Sequence, residues 1–365
     1  MRPHEIRPPS TVYGPQQKIW RRALGLLWTV DCRPWTVDRG RRSRWTNIVL
    51  SLSIGLLCSY GCATLPPSRA AAWTPAPLPP EVAAYYDYPD HHPQARRHLV
   101  SARRAFQEWW VQFPLSASGF EPTEPTVEFE WFESSAAGRR PAIVFNAILG
   151  GDYPLERGVC RFLAGHGMHV ALIHRRTLKI PVERDVEYLE LLLRQGVVRI
   201  RQVVDWMSEQ ERVDPQRLGS FGISMGGIAG VLTAAVEPRL RAQVVVLAGG
   251  GIGEILTTST DRLLSKPLNR YLARRHMDRQ MLARRLREEV KTDPILLAPY
   301  VDREKLLMVI AMTDRTIGRA NALRLYRALG RPRAVFLPTG HYTSYFFLPY
   351  IERLGLRFLR KRLGA

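Results

Sequence analysis

Cysteine is scarce in this chain: four residues in 365, at positions 32, 58, 62 and 160. A disulfide framework is therefore excluded as the source of stability, and a chain this long buries a sizeable core without one. Acidic residues are in deficit as well, 33 against 53 Lys and Arg, which leaves a formal charge of +20. That balance raises nucleic acid as a partner. No nucleic-acid motif accompanies it, so the expected neighbour is an anionic lipid or lipopolysaccharide surface. Metal-ligand spacing is missing too. Gly165-His166-Gly167-Met168-His169 puts two histidines on a helix-to-strand turn with no third ligand at a recognisable distance, and His91-His92 falls in a Pro/Tyr-rich stretch that reads as surface loop. No metal and no cofactor are expected.

What is present begins with the front of the chain. Arg39, Arg41, Arg42 and Arg44 precede an uncharged run from Trp45 to Leu65, with Ser59-Tyr60-Gly61-Cys62-Ala63 near its end. A basic flank, an apolar core and small residues before a cysteine describe an export signal. The stretch resembles a bacterial lipoprotein junction, which implies cleavage before Cys62 and lipidation of that residue. Ser59 stands where such junctions carry leucine, and the alternative is an uncleaved signal anchor, since about 20 apolar residues span a bilayer. Either form places the protein in the cell envelope, anchored to a membrane and facing the periplasm or exterior. Residues 1–38 are longer than export requires and hold no second methionine, so translation is expected to begin further in, at Val30 or Val37, or else the segment is a short disordered extension. Removing residues 1–61, with their ten Lys/Arg and three Asp/Glu, leaves 43 basic and 30 acidic residues, a charge of +13.

The run Gly222-Ile223-Ser224-Met225-Gly226, followed by Gly227 and preceded by the apolar stretch 217–221, reads as a nucleophile elbow. A serine at the tip of a tight strand-to-helix turn is forced into an unfavourable backbone conformation, and a Cβ two residues to either side collides with the turn. A serine hydroxyl is a poor nucleophile until a base takes its proton, and that base needs a carboxylate to set its tautomer. Both partners follow in the chain. Residues 305–312 form an apolar β-rich run ending at Thr313-Asp314, and residues 333–337 another ending at Pro338-Thr339-Gly340-His341. Ser224, Asp314 and His341 thus lie past the carboxyl ends of expected strands, where open parallel sheets collect their catalytic groups. Asp302 and Asp293 compete for the acid's role. Asp293, directly before Pro294, reads as a helix-start residue.

From about Pro141 onward the chain resembles the α/β-hydrolase superfamily, in particular its dienelactone-hydrolase and peptidase-like esterase branch. The resemblance rests on G-I-S-M-G-G, M-V-I-A-M-T-D, L-P-T-G-H and D-P-I-L-L-A-P-Y. It implies a hydrolase acting through an acyl-enzyme on a small ester or acyl substrate. It also implies an oxyanion hole built from the backbone N–H of Met225 and a second donor in the loop Ile148-Leu149-Gly150-Gly151. Relatives often carry His-Gly at the start of that loop, where this chain has Asn146-Ala147. Thioesterase, lipase-like and peptidase activities use the same residues. A fold retained only for binding is the non-enzyme alternative. No propeller precedes the hydrolase region, which disfavours oligopeptide cleavage.

The alternation of elements predicts an α/β class with a mostly parallel, doubly wound sheet. Strands are expected at 126–132, as an edge strand, then at 141–147, 169–173, 217–221 and 243–247, with helices at 156–165 and 182–211. The organisation read from the chain is a signal over 1–61, a lipidated cysteine and Pro/Ala-rich tether over 62–93, a helical addition over 94–125, and the hydrolase domain over 126–365. The helical addition rests on Leu99, Ala102, Phe106, Trp109, Trp110 and Phe113 recurring at helical spacing over 94–113. Residues 252–292 are too long for a simple connection and are expected to form a helical lid, with Leu282, Leu286 and Val290 facing inward. Oligomeric state is not legible.

Overall fold

Val244 and Val246 face one side of a central sheet while Val245 faces the other, and Leu307 and Val309 oppose Leu306 and Met308 in the same way. Alternation with both faces apolar is what a sheet covered by helices on each side demands. The computed structural model describes residues 63–65, 73–149, 152–175 and 184–364. The signal, Cys62, and Gly150 and Gly151 of the oxyanion loop lie outside these residues.

The strands are β1 (Ala63–Leu65), β2 (Arg96–Ala102), β3 (Phe106–Pro114), β4 (Thr126–Ser134), β5 (Arg140–Asn146), β6 (His169–Ile173), β7 (Val213–Ile223), β8 (Leu240–Val246), β9 (Leu306–Ala311) and β10 (Arg333–Leu337). They form one ten-stranded sheet in the order β1-β10-β9-β8-β7-β5-β6-β4-β3-β2. The six strands from β10 to β6 pair in parallel, and β4, β3, β2 and β1 are joined antiparallel. The helices are α1 (Pro80–Tyr85), α2 (Pro154–Gly165), α3 (Val186–Ser208), α4 (Met225–Val236), α5 (Ile252–Thr258), α6 (Arg262–Arg274), α7 (Arg279–Glu289), α8 (Pro294–Leu297), α9 (Arg319–Ala328) and α10 (Leu348–Leu363). Helices α3, α4 and α9 bury their apolar sides on one face of the sheet, α2 and α10 on the other. This is the doubly wound arrangement expected. The chain runs from β5 to β6 on one side, then crosses through α3 to β7 on the other, so the crevice of this topology opens between the carboxyl ends of β5 and β7.

Three expectations are corrected. Residues 94–113 are not a helix but a hairpin, β2 with β3. Phe106 and Glu108 are buried on one face of β3 and Val111 and Phe113 on the other, and Trp109, Val111 and Phe113 pair across to Trp131, Phe129 and Val127 of β4. Aromatic and β-branched residues suit such cross-strand pairs, and tertiary pairing overrides the helical spacing of the same residues. With the hairpin added outside it, β4 is an interior strand rather than an edge. Finally, residues 73–93 are not a free tether. Trp73 Nε1 donates to the Val301 carbonyl at 3.2 Å, and the buried Tyr86 and Tyr88 donate to Thr292 Oγ1 at 3.0 Å and Asp205 Oδ2 at 2.5 Å. Large aromatic side chains with a satisfied hydroxyl anchor a proline-rich segment whose own regular structure is the single short helix α1.

The connection between β8 and β9 is helical as expected, made of α5, α6, α7 and α8. Leu282, Leu286 and Val290 are buried in it.

Candidate active site

Ser224 stands between β7 and α4 with φ 57° and ψ −118°. A side chain in this region costs of order 1–3 kcal/mol and persists only where the surroundings enforce it. The enforcement is visible at the two flanking glycines. A Cβ on Gly222 would lie 2.1 Å from the Gly226 carbonyl oxygen, and one on Gly226 would lie 1.9 Å from the Asn146 carbonyl oxygen. Only glycine lets the elbow fold this tightly against the end of β5. Ser224 N–H donates to the Val246 carbonyl at 2.8 Å, which ties the turn to β8.

The Ser224 hydroxyl and His341 Nε2 are 3.0 Å apart, and His341 Nδ1 lies 2.7 Å from Asp314 Oδ2. Asp314 and His341 are buried, while Ser224 is half-buried. Asp314 Oδ1 accepts the N–H groups of Thr316 and Ile317 at 2.8 and 2.9 Å, which leaves Oδ2 for the imidazole. The loops after β9 and β10 are joined by backbone bonds, Met312 N–H to the Leu337 carbonyl and Thr313 N–H to the Thr339 carbonyl, both 2.9 Å. The loop that carries the histidine is further closed by Gly340 N–H to Thr343 Oγ1 at 2.9 Å and by Thr339 Oγ1 to Ser344 Oγ at 2.7 Å. The three side chains from the sequence reading are thereby brought into one hydrogen-bonded chain. The competing carboxylates are engaged elsewhere. Asp293 accepts the N–H groups of Gly251, Ile252 and Ile295, and Asp302 accepts that of Glu304.

Met225 is the first residue of α4, and the first N–H groups of a helix have no intrahelical partner. Its amide is therefore not claimed by the helix, as the oxyanion donor expected from the sequence has to be. The second expected donor is partly corrected. Ile148 N–H points to Glu156 Oε1 at 3.3 Å, so this amide is already committed to the first turn of α2, and Leu149 remains of the two. Burial pushes the Glu156 carboxyl up, against hydrogen bonds and neighbouring arginines that lower it. Asn146, at the start of that loop, is buried with no partner for Nδ2, and that atom lies beside Gly230 of α4.

The histidines that look metal-like on paper are occupied. His169 Nδ1 accepts Ser134 N–H at 3.1 Å, and its Nε2 lies 3.0 Å from the Arg212 carbonyl. The ring stacks on Trp131, and burial lowers its pKa to about 4. His166 binds the Phe162 carbonyl at 2.7 Å.

One residue at the rim was not singled out in the sequence. Asp261 caps α6 and also accepts Thr316 Oγ1 and the Tyr342 hydroxyl, next to the acid and the histidine. Asp-x-Leu before a helix signals a cap, but nothing in the sequence signals the second use.

The profile of the prolyl oligopeptidase family matches residues 191–337, a span that holds Ser224 and Asp314 and stops short of His341. No curated protein matches the chain. Among solved structures, an acetyl xylan esterase from Thermoanaerobacterium sp. is similar with a TM-score of 0.55 at 15% identity, over 77% of this chain and 96% of that one. An acetyl xylan esterase from Paenibacillus sp. gives 0.52 at 16%, over 72% and 89%. The Pyrococcus horikoshii acylaminoacyl peptidase gives 0.53 at 14%, over 72% of this chain and 42% of that one. At these identities the likeness establishes the fold: this chain has the α/β-hydrolase fold. The family match and the Ser-His-Asp arrangement together support a serine hydrolase of that type.

Proposed function

We propose that this protein is a membrane-anchored, extracytoplasmic serine hydrolase that cleaves carboxylic esters through an acyl-enzyme. The observation that carries the reading is the unbroken hydrogen-bonded chain from Ser224 through His341 to Asp314. His341 Nε2 takes the hydroxyl proton as Ser224 Oγ attacks the ester carbonyl, and Asp314 holds the ring and stabilises the imidazolium. The oxyanion is met by Met225 N–H and by the loop after β5, with Leu149 the remaining expected donor there. His341 then returns the proton to the leaving alcohol, and a water attacks the acyl-enzyme by the same route. No cofactor enters these steps. The esterases among the similar structures agree with a small ester as substrate. Lipidated Cys62 is the anchor in this reading.

Purified protein should react with a fluorophosphonate probe and hydrolyse short p-nitrophenyl esters, and Ser224→Ala should do neither while melting like wild type. Full ester turnover by Ser224→Ala would end the reading, and an inert wild type would favour a fold kept for binding. A peptidase reading is favoured by one observation, the family match. Aminoacyl p-nitroanilides cleaved faster than the esters would decide for it, and acyl thioesters test the thioesterase alternative in the same assay.

A further inference from the structure

Outside the triad, one carboxylate reaches both loops that carry it. Asp261 Oδ1 accepts Leu263 N–H at 2.9 Å, the ordinary cap of α6. A cap needs only that oxygen. The other, Oδ2, accepts Thr316 Oγ1 at 2.7 Å and the Tyr342 hydroxyl. Thr316 donates its own N–H to Asp314, and Tyr342 follows His341, with the two rings edge to face at 5.5 Å. A single side chain from the helical insertion therefore ties the acid's loop to the histidine's loop at the mouth of the site.

The electrostatics agree with that geometry. Burial works to raise the Asp261 carboxyl, but hydrogen bonds from Tyr342, Leu263 N–H and Thr316 and the charge of His341 outweigh it and hold it below its ordinary value. The Tyr342 phenol is pushed up by burial and by Asp261. The groups around His341 are Asp314 from the loop after β9, Asp261 from the start of α6, Ser224 from the elbow, and Tyr342 and the half-buried Tyr345 on its own loop. Arg315 and Arg262, adjacent in sequence to Asp314 and Asp261, are exposed.

Resting on the serine-hydrolase reading above, we propose that Asp261 is a positioning residue of the reaction. It fixes the Asp314 and His341 loops against each other, and its negative charge favours the imidazolium that forms as Ser224 is deprotonated. A mere helix cap would do the first job for α6 alone and the second not at all.

The test compares wild type with Asp261→Asn, Asp261→Ala and Tyr342→Phe in p-nitrophenyl ester kinetics against pH, with the His341 ring signals followed by NMR in the same proteins. Asparagine caps a helix as well as aspartate, so Asp261→Asn should melt like wild type. Its kcat should fall about tenfold with KM within about twofold, because misplacement of reacting groups costs turnover rather than binding. The acid limb of its pH profile and the His341 ring signals should titrate about half a pH unit lower, since a nearby negative charge is lost at a partly exposed site. Asp261→Ala should lose more kcat, and Tyr342→Phe, which removes one of the two ties and no charge, should lose kcat without moving the limb. An Asp261→Asn protein with unchanged kcat and unmoved signals overturns the proposal. If wild type turns over no ester, the hydrolase reading fails while the ring signals still decide on Asp261: a downward move supports its electrostatic role, and no move overturns it.

Discussion

At Asp314 the two carboxylate oxygens have separate duties, Oδ1 held by two backbone N–H groups and Oδ2 left to orient His341. Asp314→Asn should therefore fold normally, since the amide oxygen still accepts from Thr316 and Ile317, while its NH₂ faces the ring nitrogen that needs an acceptor. Turnover of a p-nitrophenyl ester should fall about 10³- to 10⁴-fold through the mis-set tautomer. Wild-type turnover by this variant would move the acid's role to another residue. The sequence made this much of the site readable because an elbow, a strand-end acid and a strand-end histidine are local patterns with fixed order. Asp261 and Glu156 were not readable. Each carboxylate meets a backbone or side-chain donor that only the folded loops bring near, and no spacing encodes that.

At the scale of elements, Arg157 of α2 and His174 after β6 close on Glu130 of β4, with Arg157 Nε at 2.8 and 2.9 Å from the two carboxylate oxygens and His174 Nε2 at 2.7 Å. The clamp joins the added antiparallel strands to the parallel core beside the loop after β5. Burial alone would raise the Glu130 carboxyl, but the hydrogen bonds from His174 and Arg157 prevail and lower it to about 2. A folded-state value below the unfolded one means the stabilisation is full above the unfolded pKa of about 4.3 and is lost as pH falls toward about 2. Glu130→Gln should cost about 3 kcal/mol at neutral pH by taking the counter-charge from the half-buried Arg157, and it should flatten the fall in melting temperature between those pH values. A mutant that melts like wild type at pH 7 would show the clamp to be neutral. The parallel strands were legible because their runs are short, apolar and bounded by glycine or charge. The hairpin was not, since Phe106, Trp109, Trp110 and Phe113 recur at helical spacing and split between the two faces of a strand, so they show no period of two. Val111, fully buried between Trp110 and Gln112, is the residue that decides for the strand.

For the whole molecule, the surplus of positive charge has a local expression. Arg262, Lys266 and Arg270 recur every fourth residue along the exposed side of α6, flanked by Ser265, Asn269 and Ala273 and with no carboxylate partner among the described residues. Arg285, by contrast, is bound to Asp185 at 3.0 Å and to Glu289 at 2.7 Å, and belongs to the internal bracing of the insertion. The exposed Leu263 borders the cationic row. No helix among the described residues is long and apolar enough to cross a membrane. Residues 73–93 run along the domain surface rather than away from it, so an anchor at Cys62 would hold the domain close to the bilayer, within reach of its charge. Replacing Arg262, Lys266 and Arg270 together with Gln should leave ester turnover and melting unchanged. Binding of a protein beginning at residue 63 to vesicles containing anionic phospholipid should weaken about tenfold or more at low salt, at about 1 kcal/mol per cation near the surface. The difference should shrink as salt rises past about 0.15 M, where the Debye length is about 8 Å. In cells, Cys62→Ala should fail to incorporate labelled palmitate and should leave the membrane fraction. Retention of that variant in the membrane would favour an uncleaved anchor, and equal vesicle binding by the triple variant at every salt concentration would reduce the row on α6 to a solvated face.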